Sequence, residues 1–378
     1  MSRAGDSPRL IDPAALGVLF SALRERGYTI VGPTVRDGAV VLAELESARQ
    51  LPSGWSADTE AGHYRLRRRA DEAVFAHCAG PLSLKNFVHP PRARLWSSER
   101  AENGAVSTTG PEEPGKRFAF VGVHPCDIAA LGVLDRVLAG GKHPDPVYTA
   151  RRDGSFVVTA ECTEPAATCF CSSMGTGPAA TGGFDLALTE LLDGGHRFVA
   201  RSGSPAGAEV LAALPSRPAG TADVLAATSA LEQAAAAMTR HMPNEPLPAL
   251  IAGSRESPHW DDVASRCLTC GNCTMVCPTC FCTTTEDLTD LTGEHAERWR
   301  HWDSCFSVDF SYLHGGSVRT SAASRYRQWI SHKIGTWPEQ FGSSGCVGCG
   351  RCIAWCPAGI DITREAAALS AATAGDEP

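Results

Sequence analysis

The sequence predicts an α+β fold in two parts: an α/β-like N-terminal domain and a smaller, α-helical, cysteine-rich C-terminal module. Short β-like runs and helical apolar patterns alternate through the first part. Of the 16 cysteines in the 378 residues, 11 lie between Cys267 and Cys356. The length suits two or three domains, and we expect their bounds at 1–200, 201–258 and 259–378.

Each element predicted in the N-terminal domain has a local signal. Asp12-Pro13 is typical of a helix start, because proline is tolerated at the first helical position, and apolar residues follow at helical spacing. A second helix is expected over 127–138. The last two β-like runs and this helix are consistent with a βαβ unit. The β-like runs are 28–31, 39–42, 118–123 and 156–159.

A spacer helix and linker are expected between the two parts. Residues 201–258 are rich in Ala, Pro, Gly and Ser, and 221–238 contains neither Gly nor Pro, which predicts one helix. Pro243, Pro246 and Pro248 then interrupt any regular pattern.

Composition and charge exclude several classes of protein. The net charge of −8 argues against a nucleic-acid-binding surface. No segment approaches the roughly 18 apolar residues of a membrane span, and the N-terminus carries no signal-peptide pattern. We therefore expect a cytoplasmic protein, whose cysteines stay reduced and serve as metal ligands rather than disulfides.

Two cysteine runs give the strongest signal in the chain. Both follow the spacing C-x2-C-x2-C-x3-C-P of bacterial-type dicluster ferredoxins, in which the fourth cysteine ligates the other cluster. The sequence therefore predicts two [4Fe–4S] clusters with crossed ligation. The expected ligands are Cys267, Cys270, Cys273 and Cys356 for the first cluster, and Cys346, Cys349, Cys352 and Cys277 for the second.

Two glycines complete the expected cluster-binding residues. Gly271 and Gly350 each follow the second cysteine of a run, and we expect them to let the backbone pass close to the cluster. Two zinc sites are the alternative, because zinc also takes four cysteines. Zinc gives no reason for the repeated spacing, so iron–sulfur clusters are favoured.

The 68 residues that separate the two runs, 278–345, form an insertion much longer than a small ferredoxin has. It contains Cys280, Cys282 and Cys305. These three cysteines could border a cluster, bind a separate metal or remain buried thiols. We favour the non-ligand interpretation.

Four upstream cysteines suggest another metal site. Cys126 and Cys162 each follow one of the two β-like runs of the predicted βαβ unit, and the carboxyl ends of parallel strands face one crevice. A helix N-terminus at Cys126 would also favour its thiolate. Cys169 and Cys171 follow a few residues later. We hypothesise a third [4Fe–4S] cluster on Cys126, Cys162, Cys169 and Cys171, with zinc or no metal as the alternatives.

Two smaller points concern cysteines outside these sets. Cys78 stands alone in the sequence, and we expect it to matter for packing only. The tetrapeptide Thr168-Cys169-Phe170-Cys171 recurs as Thr279-Cys280-Phe281-Cys282, which could be chance or a shared turn at a cluster edge.

No motif for a substrate or an organic cofactor is apparent. The chain has no G-x-G-x-x-G after a strand, no P-loop, no H-E-x-x-H and no serine-nucleophile elbow. We expect no flavin or NAD site in this chain and assign no catalytic residue.

These motifs together resemble the 4Fe–4S dicluster family that includes the anaerobic sulfite reductase A subunit and the β subunit of sulfhydrogenases, which are cytoplasmic [NiFe] hydrogenases. The resemblance extends over most of the chain. Besides the two ferredoxin runs, it rests on His124-Pro125-Cys126-Asp127, Cys162-Thr163-Glu164-Pro165, Thr168-Cys169-Phe170-Cys171, Cys277-Pro278-Thr279-Cys280-Phe281-Cys282 and Trp302-Asp303-Ser304-Cys305.

The resemblance implies an electron-transfer subunit of a larger oxidoreductase. In such complexes a flavin subunit takes electrons from NAD(P)H, and iron–sulfur subunits relay them to or from a [NiFe] hydrogenase or a siroheme sulfite reductase subunit. The flavin would then belong to a partner, which agrees with the missing motif. The alternative of another class is an iron–sulfur scaffold or assembly protein.

Overall fold

The protein alternates strands and helices in its N-terminal half and is mainly helical around the two cysteine runs. The computed structural model describes residues 7–111 and 115–375. The strands are β1 Arg9–Ile11, β2 Tyr28–Arg36, β3 Ala39–Glu44, β4 Trp55–Glu60, β5 His63–Arg68, β6 Arg92–Arg100, β7 Val106–Thr109, β8 Arg117–Val123, β9 Phe156–Glu161, β10 Leu186–Leu191, β11 Arg197–Ser202, β12 Arg217–Pro218, β13 Thr283–Thr289, β14 His295–Trp302, β15 Tyr312–Leu313 and β16 Gly316–Ser317.

The described helices are at most 16 residues long, and three of them begin at a proline. They are α1 Ala15–Glu25, α2 Lys85–Val88, α3 Pro125–Leu134, α4 Pro146–Arg152, α5 Pro205–Ala212, α6 Thr221–Ala236, α7 Leu247–Gly253, α8 His259–Arg266, α9 Asn272–Met275, α10 Ala322–Ile330, α11 Trp337–Phe341, α12 Arg351–Ala354 and α13 Ile362–Gly375.

A mixed sheet forms the centre of the N-terminal half. In the described part of the chain it has eight strands, in the order β12-β1-β11-β10-β9-β8-β2-β3. The four inner strands β10, β9, β8 and β2 run parallel, and antiparallel strands extend the sheet on both sides. The parallel centre confirms the expected α/β-like character, and its strands end at one common edge.

The predicted βαβ unit is present as β8, α3 and β9. The helix begins at Pro125, two residues earlier than expected. Proline fits the first helical position, and the Asp127 carboxylate accepts a hydrogen bond from the His124 N–H at 3.3 Å, which caps the start. The helix ends at Leu134 and continues as one π-helical turn, Asp135–Ala139, rather than as an α-helix to 138.

Both faces of the central strands are buried. Phe118 and Phe120 of β8 pack with Tyr148 on one face, whereas Phe156 and Val158 of β9 pack with the apolar side of α1 on the other. Strands buried on both faces hold their carboxyl ends in fixed positions. The cysteines that follow these strands are therefore placed by the core.

The stretch expected to be a linker packs against this sheet. Strand β12 pairs with β1 at the sheet edge, and α6 lies over β10 and β11 through Ala227, Leu191 and Val199. The predicted helix over 221–238 is observed as Thr221–Ala236.

A second sheet connects the insertion to the N-terminal half. Its order is β13-β14-β6-β7, all antiparallel, so that β14 of the insertion pairs with β6. The C-terminal module is thus not wholly α-helical, contrary to expectation. Among the described residues, no helix combines the length and apolarity needed to cross a membrane.

The packing of α1 on the sheet can be tested by a pair of substitutions on that helix. Leu19 is 0 % exposed and Val18 is 39 % exposed. We expect Leu19→Ala to lower the free energy of unfolding by about 2–5 kcal/mol, because it leaves a cavity. Val18→Ala should change it by less than about 0.5 kcal/mol. Anaerobic urea unfolding followed by circular dichroism measures both, and equal effects would contradict this packing.

Candidate metal centres

The first cysteine cage consists of Cys267, Cys270, Cys273 and Cys356. Cys267 follows α8, Gly271 (φ +72°) turns the chain into α9, and Cys356 follows α12. All four cysteines line one cavity. The N–H groups of Thr269 and Ile360 donate to the sulfurs of Cys267 and Cys356 at 3.4 and 3.3 Å. Such bonds stabilise negative sulfur.

The second cage consists of Cys346, Cys349, Cys352 and Cys277. The Thr279 hydroxyl lies 3.2 Å from the Cys277 sulfur and donates to the Gly345 carbonyl at 2.7 Å, which places the fourth cysteine of the first run beside the second run. Cys356, the fourth cysteine of the second run, lines the cavity of the first run. Burial raises the pKa of Cys346 to about 12. The Lys333 ammonium donates to the Cys277 sulfur at 3.2 Å; a hydrogen bond from Cys280 and the charge of Lys333 lower the pKa of Cys277.

Among the described residues, the compact group of potential ligand atoms contains no cysteine, which argues against a single zinc ion in the cages. Zn–S bonds of about 2.3 Å place tetrahedral ligands roughly 3.8 Å apart. Among the described residues, three potential ligand atoms lie within 4.8 Å of one another at His259, Asp262 and Glu365, a group without cysteine. The ligands of a [4Fe–4S] cluster stand further apart because each binds a different iron.

Two buried donors at the first cage also suit a cluster. The Tyr326 hydroxyl and the Trp329 indole N–H line this cage and have no hydrogen-bond partner in the described part of the chain. Buried donors without partners are rare, and cluster sulfides are acceptors. The first cage therefore offers thiolates, backbone donors and two further N–H and O–H groups.

The upstream cage lies where β8 and β9 end. Cys126, Cys162, Cys169 and Cys171 line one cavity there, as the parallel strands predicted. Burial raises the pKa of Cys126, so its place at the start of α3 does not by itself produce a thiolate. A bound metal would supply the positive charge that the thiolates need.

Cys78 belongs to the same cavity, contrary to the expectation that it stands alone. Its sulfur lies 3.5 Å from that of Cys162. The segment around it has no motif and is held by the C-terminal module: the Trp355 indole donates to the Ala79 carbonyl at 2.8 Å, and Arg351 donates to that of Gly80 at 3.0 Å. These contacts join residues more than 270 positions apart, so no local sequence pattern predicts that Cys78 lies at the upstream cage.

The upstream cage touches the second cage directly. The Phe170 N–H donates to the Gly348 carbonyl at 2.9 Å, and the Cys169 thiol lies 3.9 Å from the carbonyl oxygen of Cys349. A buried ion pair between Arg351 and Asp127, 2.9 Å long, joins the two sides.

At both glycines that were expected beside the clusters, a side chain would collide with neighbouring protein atoms. A Cβ at Gly271 would lie 2.9 Å from the Ser304 hydroxyl oxygen, and one at Gly350 would clash with the Thr168 carbonyl. Gly350 thus lets the second run approach the Thr168–Cys171 turn.

Comparison with known proteins supports iron–sulfur binding by this chain. Residues 266–360 match the family model described as a 4Fe-4S dicluster domain. The chain is 34 % identical to the sulfhydrogenase 2 subunit beta of Pyrococcus furiosus over 297 residues, which is 78 % of this chain and 84 % of that protein. The chain belongs to the sulfhydrogenase β-subunit family. It is therefore an iron–sulfur protein. No solved structure matches it.

The contact between the second cage and the upstream cage can be tested by substituting two glycines that have similar backbone conformations. Gly350 (φ +72°) meets Thr168, whereas Gly342 (φ +70°) has nothing within 4 Å of a built Cβ. We expect Gly342→Ala to cost only backbone strain, roughly 1–3 kcal/mol. Gly350→Ala should also lose roughly four irons per chain, one cluster.

Iron analysis and thermal unfolding of the two anaerobically loaded variants measure these effects. Equal iron contents would mean that the contact at Gly350 does not support a cluster.

Proposed function

We propose that this chain is an iron–sulfur electron-transfer subunit of a cytoplasmic oxidoreductase complex. It relays electrons between a flavin subunit that reacts with NAD(P)H and a catalytic subunit, for which a [NiFe] hydrogenase is favoured. The proposal rests on the positions of the three cysteine cages, which lie next to one another in a row. The name of the 34 % identical relative, a sulfhydrogenase subunit, supports the hydrogenase.

The three cages follow one another without a gap in the protein. Cys352 of the second cage also lines the cavity of the first, together with Cys273. Cys349 of the second cage lines the upstream cavity. A [4Fe–4S] cluster bound in each cage would accept and release one electron at a time.

The first cage is the end of the row that reaches the surface. Cys270 is exposed, and the neighbouring Leu268 is 65 % exposed. Deeper in the cage, Tyr326 and Trp329 are buried and exclude water. This asymmetry supports exchange of electrons with a partner subunit at the first cage.

The chain's own residues hold and tune the clusters. We assign Cys267, Cys270, Cys273 and Cys356 to the first cluster, Cys346, Cys349, Cys352 and Cys277 to the second, and Cys126, Cys162, Cys169 and Cys171 to a third. Lys333 places a positive charge beside Cys277, which favours the reduced, more negative state of the second cluster. Arg351 faces both Cys349 and Cys126.

Two other functions have some support. A siroheme sulfite reductase could be the catalytic partner, because the sequence motifs resemble both kinds of complex. An iron–sulfur scaffold is the other candidate, favoured only by the exposure of Cys270 at the first cage. A scaffold would give up its clusters to an acceptor protein, whereas a relay retains them through repeated reduction.

The relay can be tested in the purified native complex with Cys349→Ser. We expect hydrogen formation driven by NAD(P)H to fall at least about 100-fold, because the second cluster interrupts the row. Hydrogen formation driven by a reduced viologen acting directly on the catalytic subunit should persist. Ser173→Ala, a substitution near the upstream cage that removes no thiol, is the matched control. Undiminished NAD(P)H-driven activity in Cys349→Ser would refute the relay.

If the purified complex contains siroheme and no nickel, the catalytic subunit is a sulfite reductase rather than a hydrogenase. If the chain is isolated without any partner subunit, the scaffold function is favoured.

The third cluster can be tested by iron content. We expect Cys126→Ser to lower iron by roughly four atoms per chain and to leave the EPR signals of the two ferredoxin-run clusters in place. Cys78→Ser, examined in parallel, shows whether the fifth thiol is a ligand. An unchanged iron content in Cys126→Ser would contradict the assignment of a third cluster to these four cysteines.

A further inference from the structure

Two buried aromatic side chains bring hydrogen-bond donors to the cavity of the first cage. Tyr326 and Trp329 lie three residues apart on α10, so they share one face of that helix. Both line the cavity and are nearly inaccessible to solvent, with exposed fractions of 2 % and 5 %. Among the described residues, the other side chains that line this cavity are apolar or cysteine. The Tyr326 hydroxyl and the Trp329 indole are therefore its O–H and N–H side-chain donors.

Both donors lack an acceptor in the protein. The Tyr326 hydroxyl and the Trp329 N–H have no hydrogen-bond partner in the described part of the chain, cysteine sulfurs included. The neighbouring Trp260 differs, because its indole N–H donates to the Ser254 carbonyl at 2.7 Å. An unpaired buried donor is destabilising, and such groups are rare in folded proteins. The acceptor has to come from whatever occupies the cavity.

A backbone donor of the same cage already shows the other kind of hydrogen bond. The Thr269 N–H donates to the Cys267 sulfur at 3.4 Å. Tyr326 and Trp329, in contrast, reach no cysteine sulfur. A cluster bound by the four cysteines adds inorganic sulfides, which are hydrogen-bond acceptors. These sulfides are the acceptors that remain for the two side chains.

A water molecule would satisfy the two donors less well than sulfide. A buried water needs about two to four polar partners. Its own hydrogens would face apolar side chains and thiols, since the cavity wall offers little else, and thiol sulfur is a weak acceptor. Sulfide in a cluster carries negative charge, so it accepts both hydrogen bonds without adding an unsatisfied donor.

We propose that the Tyr326 hydroxyl and the Trp329 N–H donate hydrogen bonds to inorganic sulfide of the first cluster and raise its reduction potential. A hydrogen bond stabilises the reduced, more negative cluster more than the oxidised one. Both act as positioning residues, because the cysteines hold the iron. The inference rests on the first cluster of the proposed function and deepens it by naming what tunes the exposed end of the row.

The test is a redox titration of the full chain, loaded anaerobically and followed by EPR. The signal that is missing from Cys270→Ser identifies the first cluster. We expect Tyr326→Phe, which removes only a hydroxyl, to lower the reduced-to-oxidised ratio of that cluster roughly tenfold at a fixed potential. For a one-electron couple this is a shift of about 59 mV to more negative potential. Trp329→Phe should shift it in the same direction.

Tyr148→Phe is the matched control for the lost hydroxyl. Tyr148 is also fully buried, but its hydroxyl donates to Asp135 at 2.6 Å and it lines neither the first nor the upstream cavity. It should leave the potential of the first cluster unchanged. An unchanged potential in both Tyr326→Phe and Trp329→Phe, with iron retained, would overturn the proposal.

Resonance Raman spectroscopy separates a hydrogen bond from mere packing, because vibrations of bridging sulfide differ from those of the iron–cysteine bonds. We expect the bridging vibrations to shift when the chain is loaded in D2O instead of H2O. Part of that isotope shift should be lost in Tyr326→Phe and retained in Tyr148→Phe. An isotope shift that is equal in the two variants would count against a hydrogen bond from Tyr326 to sulfide.

These measurements do not depend on the relay. Cys349→Ser tests electron transfer through the complex, whereas the potentials and vibrations belong to the loaded chain alone. A failed relay with the expected shift in Tyr326→Phe would leave the hydrogen bonds in place. An intact relay without that shift would overturn the hydrogen bonds and leave the proposed function standing.

Discussion

The buried ion pair between Arg351 and Asp127 holds the cysteine sites in their relative places. Asp127 caps the helix that follows β8, and Arg351 begins the short helix that carries Cys352. Arg351 also donates to the Gly80 carbonyl, which fixes the segment with Cys78. One guanidinium thus positions residues from three distant parts of the chain. Removing one partner of such a pair typically costs about 3–5 kcal/mol, because the other charge stays buried.

Charge balance around the sulfurs explains why basic side chains are buried here. Lys85, Lys333 and Arg351 are each less than 6 % exposed, which is rare for such residues unless they are paired. Arg351 pairs with Asp127, and Lys333 donates to the Cys277 sulfur. Lys85 donates to backbone carbonyls, and burial lowers its pKa. Burial raises the pKa of most of these thiols. The charges of Lys333 and Arg351, together with bound iron, favour thiolates that burial alone would disfavour.

The sequence was informative where a local rule governs the geometry. The spacing of the two runs predicted which cysteines come together, and the order β8, α3, β9 predicted the convergence of Cys126 and Cys162. Neither rule reaches Cys78, whose place depends on contacts with Trp355 and Arg351 far along the chain. The pairing of β14 with β6 also escaped prediction, because some 200 residues separate the strands and no pattern in either one names its partner.

That pairing of β14 with β6 has a consequence for any attempt to isolate the ferredoxin runs. A fragment that starts near residue 259 would retain β13 and β14 but lose β6, and the backbone of β14 would face solvent along the register His295–His301. Unpaired strand edges recruit other chains and promote aggregation. The two runs therefore cannot be removed as a free-standing carrier by truncation, although their spacing alone is that of an independent small protein.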